Sequence, residues 1–267
     1  MTAVDFSQFV DELAQISAEV ILPFFRTQLC IQDKSVNGFF DPVTEADKAA
    51  ETVMRHKIRR TFPEHGIIGE EFGDENANAE YVWVLDPIDG TKSFICGLPM
   101  WGTLIGLTRR GVPVHGLMHQ PFTGERFSSD GEMTTYRGPA GERTLRTSNC
   151  TRLDHATIST TSPLLMTESE LRQYTQVEKR VRVSRYGGDC YSYCMLAAGH
   201  LDLIIECGLK PHDVIALVPI IQGAGGVITT WQGRDASEGG QIIASATRDL
   251  HRAALEVLNQ TPDYPSL

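Results

Sequence analysis

The chain has 267 residues, 41% of them hydrophobic and 22% charged, with a formal net charge of -10. That length buries a sizeable core, and the balance is that of an ordinary soluble globular protein. Net acidity disfavours nucleic acid as a partner, because duplex binding needs Lys and Arg against phosphates. No apolar stretch is long enough for a membrane span, and the start Met1-Thr2-Ala3-Val4-Asp5 lacks the basic and apolar pattern of an export signal, so export is not expected. The six scattered cysteines form no Cys-x-x-Cys pair. Free thiols and a cytoplasmic location are expected.

In chain order, apolar residues at helical spacing (Phe9, Leu13, Ile16, Val20, Phe24) predict a long helix over 6–25. A short strand is expected at 29–31, then a loop, then a second helix over 45–61 ended by Pro63-Glu64-His65-Gly66. Strand patterns crowd together at 67–68, 81–85, 101–108, 112–119 and 125–128, which implies a mainly antiparallel sheet. Residues 130–133 and 138–141 read as loops, and a subdomain boundary is expected near 145, dividing 1–145 from 146–267. Beyond it strands and helices alternate: strands at 156–159, 181–183, 201–205, 227–230 and 242–245, helices at 168–176, 190–200, 213–222 and 248–258. Such alternation predicts a mixed sheet flanked by helices. Gly223 to Gly226 follows a helix and precedes a strand, the wrong order for a dinucleotide fingerprint.

The chemistry concentrates at Trp83-Val84-Leu85-Asp86-Pro87-Ile88-Asp89-Gly90-Thr91-Lys92-Ser93-Phe94. An apolar run empties two carboxylates, three residues apart, into a tight turn where a helix can begin. Close carboxylates repel unless a cation neutralises them, and the N–H groups after the turn are free to hold an anion. Gly69-Glu70-Glu71 follows Ile67-Ile68 like a second strand end, and Lys210-Pro211-His212-Asp213 opens another apolar segment, with Asp213 as its helix cap. Each feature taken singly is an ordinary turn, surface or cap. Together Glu70, Asp86, Asp89 and Asp213 make an oxygen set suited to Mg²⁺ or Mn²⁺ rather than zinc. Cys-x5-Arg and Asp-x-Asp phosphatase patterns are absent.

At these residues, together with Asp41-Pro42-Val43-Thr44-Glu45-Ala46-Asp47, the chain resembles the inositol monophosphatase family of metal-dependent phosphomonoesterases. Within it the resemblance is to the histidinol-phosphatase branch, through Trp83-Val84-Leu85, Gly111-Val112-Pro113-Val114-His115-Gly116 with Gln120-Pro121, and Tyr186-Gly187-Gly188-Asp189-Cys190-Tyr191-Ser192-Tyr193. The resemblance implies an α+β, layered αβαβα sandwich with an antiparallel N-terminal sheet and a mixed C-terminal one, and a homodimer. It implies two or three Mg²⁺: one held by Glu70, Asp86 and the Ile88 carbonyl, a second by Asp86, Asp89 and Asp213, a third, weaker, near Glu70. Glu70, Thr91 and Asp47 form the implied catalytic set, with Thr91 orienting the attacking water and Asp47 behind it. Asp47 has a second reading as a helix-start residue. Gly90 and Thr91 N–H groups would hold the phosphate.

Asp189 and Glu206 would face the alcohol part of the substrate with Asp213, with Arg185 and Tyr186 as neighbours and Gly187 and Gly188 allowing close approach. An added carboxylate at Asp189 suits the ammonium of histidinol phosphate better than an inositol hydroxyl. Asp189 also has a plain reading as an N-cap. Inositol phosphate, a broad range of small phosphate monoesters, or a non-enzymatic regulatory role are the alternatives. Lys34 is a further site candidate on the arm before Asp41. His212 stands where the family usually has Trp.

Overall fold

The computed structural model describes residues 6–28, 32–33 and 42–260. The strand expected at 29–31, together with Cys30, Lys34 and Asp41, lies outside the described residues. Helix α1 (Phe6–Ile21) buries Phe9, Val10, Leu13, Ala14, Ala18 and Ile21. Strands β1 (Gln32–Asp33) and β2 (Pro42–Val43) pair antiparallel before α2 (Glu45–Thr61). The start of α2 is fixed by its own side chains. Thr44 Oγ1 accepts the Ala46 N–H at 3.2 Å, and Asp47 reaches back to the Thr44 N–H at 2.9 Å.

Next come β3 (Gly66–Gly69), β4 (Gly73–Glu75), β5 (Tyr81–Asp89), α3 (Thr91–Ile95), β6 (Gly102–Arg109), β7 (Val112–Gln120), β8 (Glu125–Ser129), β9 (Thr134–Gly138) and β10 (Gly141–Thr144). The eight strands run β10-β9-β8-β7-β6-β5-β3-β4. Only β3 against β5 is parallel. The sheet is therefore mainly antiparallel, as the strand crowding implied. Strands β4, β9 and β10 were not foreseen. Every residue of β4 and β10 is exposed, so neither carries the alternation that marks a half-buried strand. The loop read at 138–141 is the tight connection between β9 and β10.

The second half supplies β11 (Thr157–Thr160), α4 (Glu168–Glu178), β12 (Val183–Tyr186), α5 (Asp189–Ala197), β13 (Leu203–Leu209), α6 (Pro211–Val214), α7 (Leu217–Gly223), β14 (Val227–Thr230), β15 (Gly240–Ser245) and α8 (Arg248–Leu258). Strand order is β12-β11-β13-β15-β14, with β11 parallel to both neighbours and the remaining pairs antiparallel. Three expectations need correction. The strand read at 181–183 begins only at Val183, after the turn that follows α4. The helix read at 190–200 stops at Ala197, because Gly199 turns left-handed (φ 80°). The helix read at 213–222 is two helices broken at Ile215–Ala216, with Pro219 in the first turn of the second, where its missing N–H costs no bond.

Three apolar clusters define the layers. Phe9, Leu13, Met54 and Ile58 of α1 and α2 pack on Trp83, Leu85, Ile105 and Leu117 of the first sheet. The opposite face of that sheet (Leu104, Met118, Phe127) meets α5 and α7 through Cys194, Leu196, Leu217 and Ile221, which also touch Ile204, Ile228 and Ile242 of the second sheet. Tyr174, Val177, Leu250 and Leu258 of α4 and α8 cover the far side. The order is αβαβα.

One glycine pair sets the depth of the middle layer. Gly106 and Gly116 face each other across β6 and β7. A Cβ on Gly116 would fall 1.9 Å from the Ala216 carbonyl oxygen, and one on Gly106 would fall 2.7 Å from Ile215 Cγ2. Side chains there would push away the segment joining α6 to α7, and with it Asp213.

Candidate active site

The end of β5 is bent. Its register with β6 shifts between Asp86 and Asp89, and Pro87, which has no N–H, sits inside the shift. Two local bonds hold the bend: Ile88 N–H donates to Asp86 Oδ1 at 3.1 Å, and Thr103 Oγ1 donates to the Pro87 carbonyl at 2.8 Å. Asp86 and Asp89 are thereby aimed together. Gly90 follows at φ 83°, where a Cβ would meet Asp189 Oδ2 and the Met100 carbonyl at 3.0 Å, so glycine is required for the chain to enter α3. Thr91, the first residue of α3, donates its hydroxyl to the Ile88 carbonyl at 3.0 Å.

Asp213 arrives from the other half of the chain. It is not the cap of its helix but the third residue of α6, and its Oδ2 accepts the Lys210 N–H at 2.6 Å. One carboxylate oxygen from each of Asp86, Asp89 and Asp213 lies within 4.8 Å of the others. Glu70 closes the end of β3, where its N–H donates to the Leu85 carbonyl at 3.2 Å, and it lines the same cavity of about 250 Å³. Burial pushes the Asp86 carboxyl well above the usual range, and Glu70, Asp89 and Asp213 push it further. Burial likewise raises Asp89, with Asp189 and Asp213 adding to it. The set is rich in hard oxygen donors, crowded and electrostatically frustrated, which fits a divalent cation of the Mg²⁺ type. Asp86, Asp89 and Asp213 would hold one cation, with Glu70 and the Ile88 carbonyl beside them.

Asp47 takes the helix-start role. It is buried, and its Oδ2 accepts from both the N–H and the hydroxyl of Thr44, at 2.9 and 2.6 Å. Burial raises its carboxyl to about 7. Among the described residues, Asp47 bonds to Thr44 and Thr91 to the Ile88 carbonyl, with no direct hydrogen bond between the two side chains.

On the substrate side the structure separates the candidates. Asp189 lines the cavity as the first residue of α5, not its cap, and Gly188 is the cap. Its φ of 42° follows Gly187 at 85° and Gly188 at 110°, a left-handed run that a short polar side chain tolerates. Ser93 Oγ donates to Asp189 Oδ2 at 3.2 Å. Burial raises the Asp189 carboxyl, opposed by Ser93, Lys92 and Thr161. Glu206 also lines the cavity, in the interior of β13 where the register with β15 shifts. Its Oε1 accepts the Thr161 N–H at 2.8 Å and the Thr161 hydroxyl at 2.5 Å, while Oε2 accepts the Tyr193 hydroxyl at 3.2 Å. Burial lifts Glu206 to about 7. Arg185 and Tyr186 are exposed on β12, and neither they nor Gly187 and Gly188 line the cavity. His212 does line it, with Nε2 3.7 Å from Asp213 Oδ1.

Several residues of the site escaped the sequence reading. Lys92 and Lys210 bring positive charge to the cavity wall, and Thr161 and Tyr193 anchor Glu206. The N–H of Cys190 donates to Asp89 Oδ2 at 2.6 Å, so the start of α5 holds that carboxylate. Lys92 carried a signal, since it follows the anion-holding turn directly. Thr161 and Tyr193 carried none, because only the packing of β11 and α5 on β13 brings them to Glu206.

The model of the inositol monophosphatase family matches residues 4–263. The chain belongs to that family. Inositol monophosphatase family members are phosphatases, generally metal-dependent, and the acidic cluster above is where this one can bind a cation. The chain is 44% identical over 265 residues to a bifunctional phosphatase, IMPL2, chloroplastic, of Arabidopsis thaliana, covering 95% of this chain and 75% of that one. It is 36% identical over 226 residues to the histidinol-phosphatase of Streptomyces coelicolor, covering 82% and 84%. Its fold is similar to an inositol monophosphatase from Zymomonas mobilis, with 38% identity, TM-score 0.85 and coverage of 97% and 100%. No helix among the described residues is long and apolar enough to cross a membrane.

Proposed function

We propose that this phosphatase is Mg²⁺-dependent and hydrolyses L-histidinol phosphate to L-histidinol and phosphate. The observation that carries the reading is the Asp189 carboxylate on the wall of the cavity that also holds Asp86, Asp89 and Asp213. A carboxylate there would meet a primary ammonium through a charge-assisted bond. Leu165, Met166 and Leu209 line the same cavity and suit a flat heteroaromatic ring better than a ring bearing hydroxyls on every side. The relatives named histidinol-phosphatase support the same reading.

A cation held by Asp86, Asp89 and Asp213 would supply charge neutralisation on the phosphate and a more acidic water. The chain's own groups do the rest. First-turn N–H groups of a helix lack intrahelical acceptors, so Gly90 and Thr91 can hold phosphate oxygens. The Thr91 hydroxyl donates to the Ile88 carbonyl, which leaves its oxygen to accept from the attacking water. That water would add to phosphorus as one of its protons leaves toward Glu70, the P–O bond to the alcohol would break, and the departing alkoxide would take up a proton from solvent water.

The test compares kcat/KM for histidinol phosphate and inositol 1-phosphate in wild type and Asp189→Asn. A bond to a charged group is worth about 2–3 kcal/mol, so the variant should lose roughly 30- to 150-fold on histidinol phosphate and little on inositol 1-phosphate. Equal losses on both would make Asp189 a general support. Inositol 1-phosphate is the second reading, favoured by the Zymomonas structure. Faster turnover of it by wild type would replace the histidinol assignment.

A further inference from the structure

A buried ion pair on α2 grips the backbone that follows Glu70. Glu51 is 0% exposed and Arg55, one turn on, is 4% exposed. Arg55 Nε donates to Glu51 Oε1 at 2.7 Å. Glu51 Oε2 accepts the Glu71 N–H at 2.8 Å, and Oε1 accepts the Phe72 N–H at 3.2 Å. Arg55 Nη2 donates to the Gly73 carbonyl. Three consecutive residues after Glu70 are thus tied to one helix. On the other side of Glu70, a Cβ on Gly69 would fall 2.1 Å from Glu51 Oε1, so the strand end rests directly on the carboxylate.

Burying an arginine–carboxylate pair is expensive, and apolar residues of similar volume often stabilise a fold as well or better. The pair is therefore poorly explained as a source of stability. Its three bonds to backbone converge on the segment that follows one cation-binding candidate, while Arg55 Nη1 also lies 3.6 Å from Glu75 Oε2. We propose that Glu51 and Arg55 are positioning residues that fix Glu70 for cation binding. This rests on the metal-dependent reading above. Neither side chain lines the cavity, so both act through the backbone of residues 69–73.

The experiment uses the full chain and MgCl₂ as the probe. Glu51→Leu combined with Arg55→Met replaces the pair by apolar groups. Thermal melting in EDTA should stay within a few degrees of wild type. Calorimetric Mg²⁺ affinity should fall about 10- to 100-fold, the range typical for residues that orient metal ligands, and kcat should fall with KM for the ester little changed. A folded double variant with wild-type Mg²⁺ affinity and kcat overturns the proposal. Glu51→Gln is the second variant. It keeps the volume but removes charge and one acceptor oxygen, and unchanged Mg²⁺ affinity in it is equally fatal, whether or not the double variant folds. Arg55→Lys, which retains a cation beside Glu51, should recover part of the affinity. Wild type that binds no Mg²⁺ would overturn the metal-dependent reading itself, a result distinct from wild type that binds and variants that bind equally well.

Discussion

Thr91 has its hydroxyl proton directed at the Ile88 carbonyl, at 3.0 Å, and it lines the acidic cavity. A hydroxyl fixed in that way accepts a hydrogen bond from the water in one orientation only, which aims the water at phosphorus while its other proton leaves toward Glu70. Thr91→Ala should lower kcat on the order of 10²-fold with a modest change in KM, and Thr91→Ser should keep most of the activity. Steady-state kinetics on the purified variants decide it, and full kcat in the alanine variant would reject the role. Asp47 belongs to a different argument. Its carboxylate closes the capping box of α2 with Thr44, so removing it costs a cap, typically about 1 kcal/mol, before any effect on chemistry. At this scale the acidic candidates were legible because Asp-Pro-x-Asp-Gly-Thr is a turn with a charge problem. Glu51, Thr161 and Tyr193 were not legible. Each acts on a partner at least 13 residues away, through packing that no local pattern encodes.

Among the elements, α1 and β7 are joined by one buried ring. His119 Nδ1 sits 3.2 Å from the Ala14 carbonyl, and the residue is 4% exposed. The ring therefore carries its proton on Nδ1 and stays neutral, and burial, with Arg126 nearby, pulls its pKa down to about 4. In the unfolded chain the same group titrates near 6.5. Between those values the unfolded state binds the extra proton. The stability that neutral His119 contributes is thus complete above pH 6.5 and is lost as pH falls toward 4. The difference corresponds to at most about 3 kcal/mol. Urea unfolding at pH 7.5, 5.5 and 4.5 should show wild type losing more stability on acidification than His119→Gln, by up to that amount. Identical pH slopes would remove His119 from the account. Element legibility followed the same physics of local signals. Helices α2 and α8 match their expected spans because Thr44 and Thr247 cap strong periodic patterns. Strands β4 and β10, wholly exposed, had no pattern to show.

For the whole molecule, the antiparallel and mixed sheets could be read from strand crowding followed by alternation, whereas their αβαβα stacking came only with the family resemblance and not from any local pattern. The segment joining α6 to α7 comes close to the first sheet where Gly106 faces Gly116, and two glycines 10 residues apart announce nothing until β6 and β7 are paired. That contact is what brings Asp213, from the middle layer, against Asp86 and Asp89, from the first sheet. Three carboxylates drawn from two layers repel, and a bound cation would turn that repulsion into a link between the layers. Mg²⁺ at about 100 times its dissociation constant should stabilise the fold by roughly 2.7 kcal/mol, which for a chain of this size raises Tm by about 5–10 °C. Asp213→Asn supplies the decisive comparison. An asparagine oxygen can still accept the Lys210 N–H, while one repelling charge is gone. In EDTA the variant should melt no lower than wild type. With Mg²⁺ its increment should fall to less than half, so the order of the two melting curves reverses. A variant that melts lower than wild type in EDTA yet gains the full Mg²⁺ increment would show that Asp213 serves its helix and not a cation.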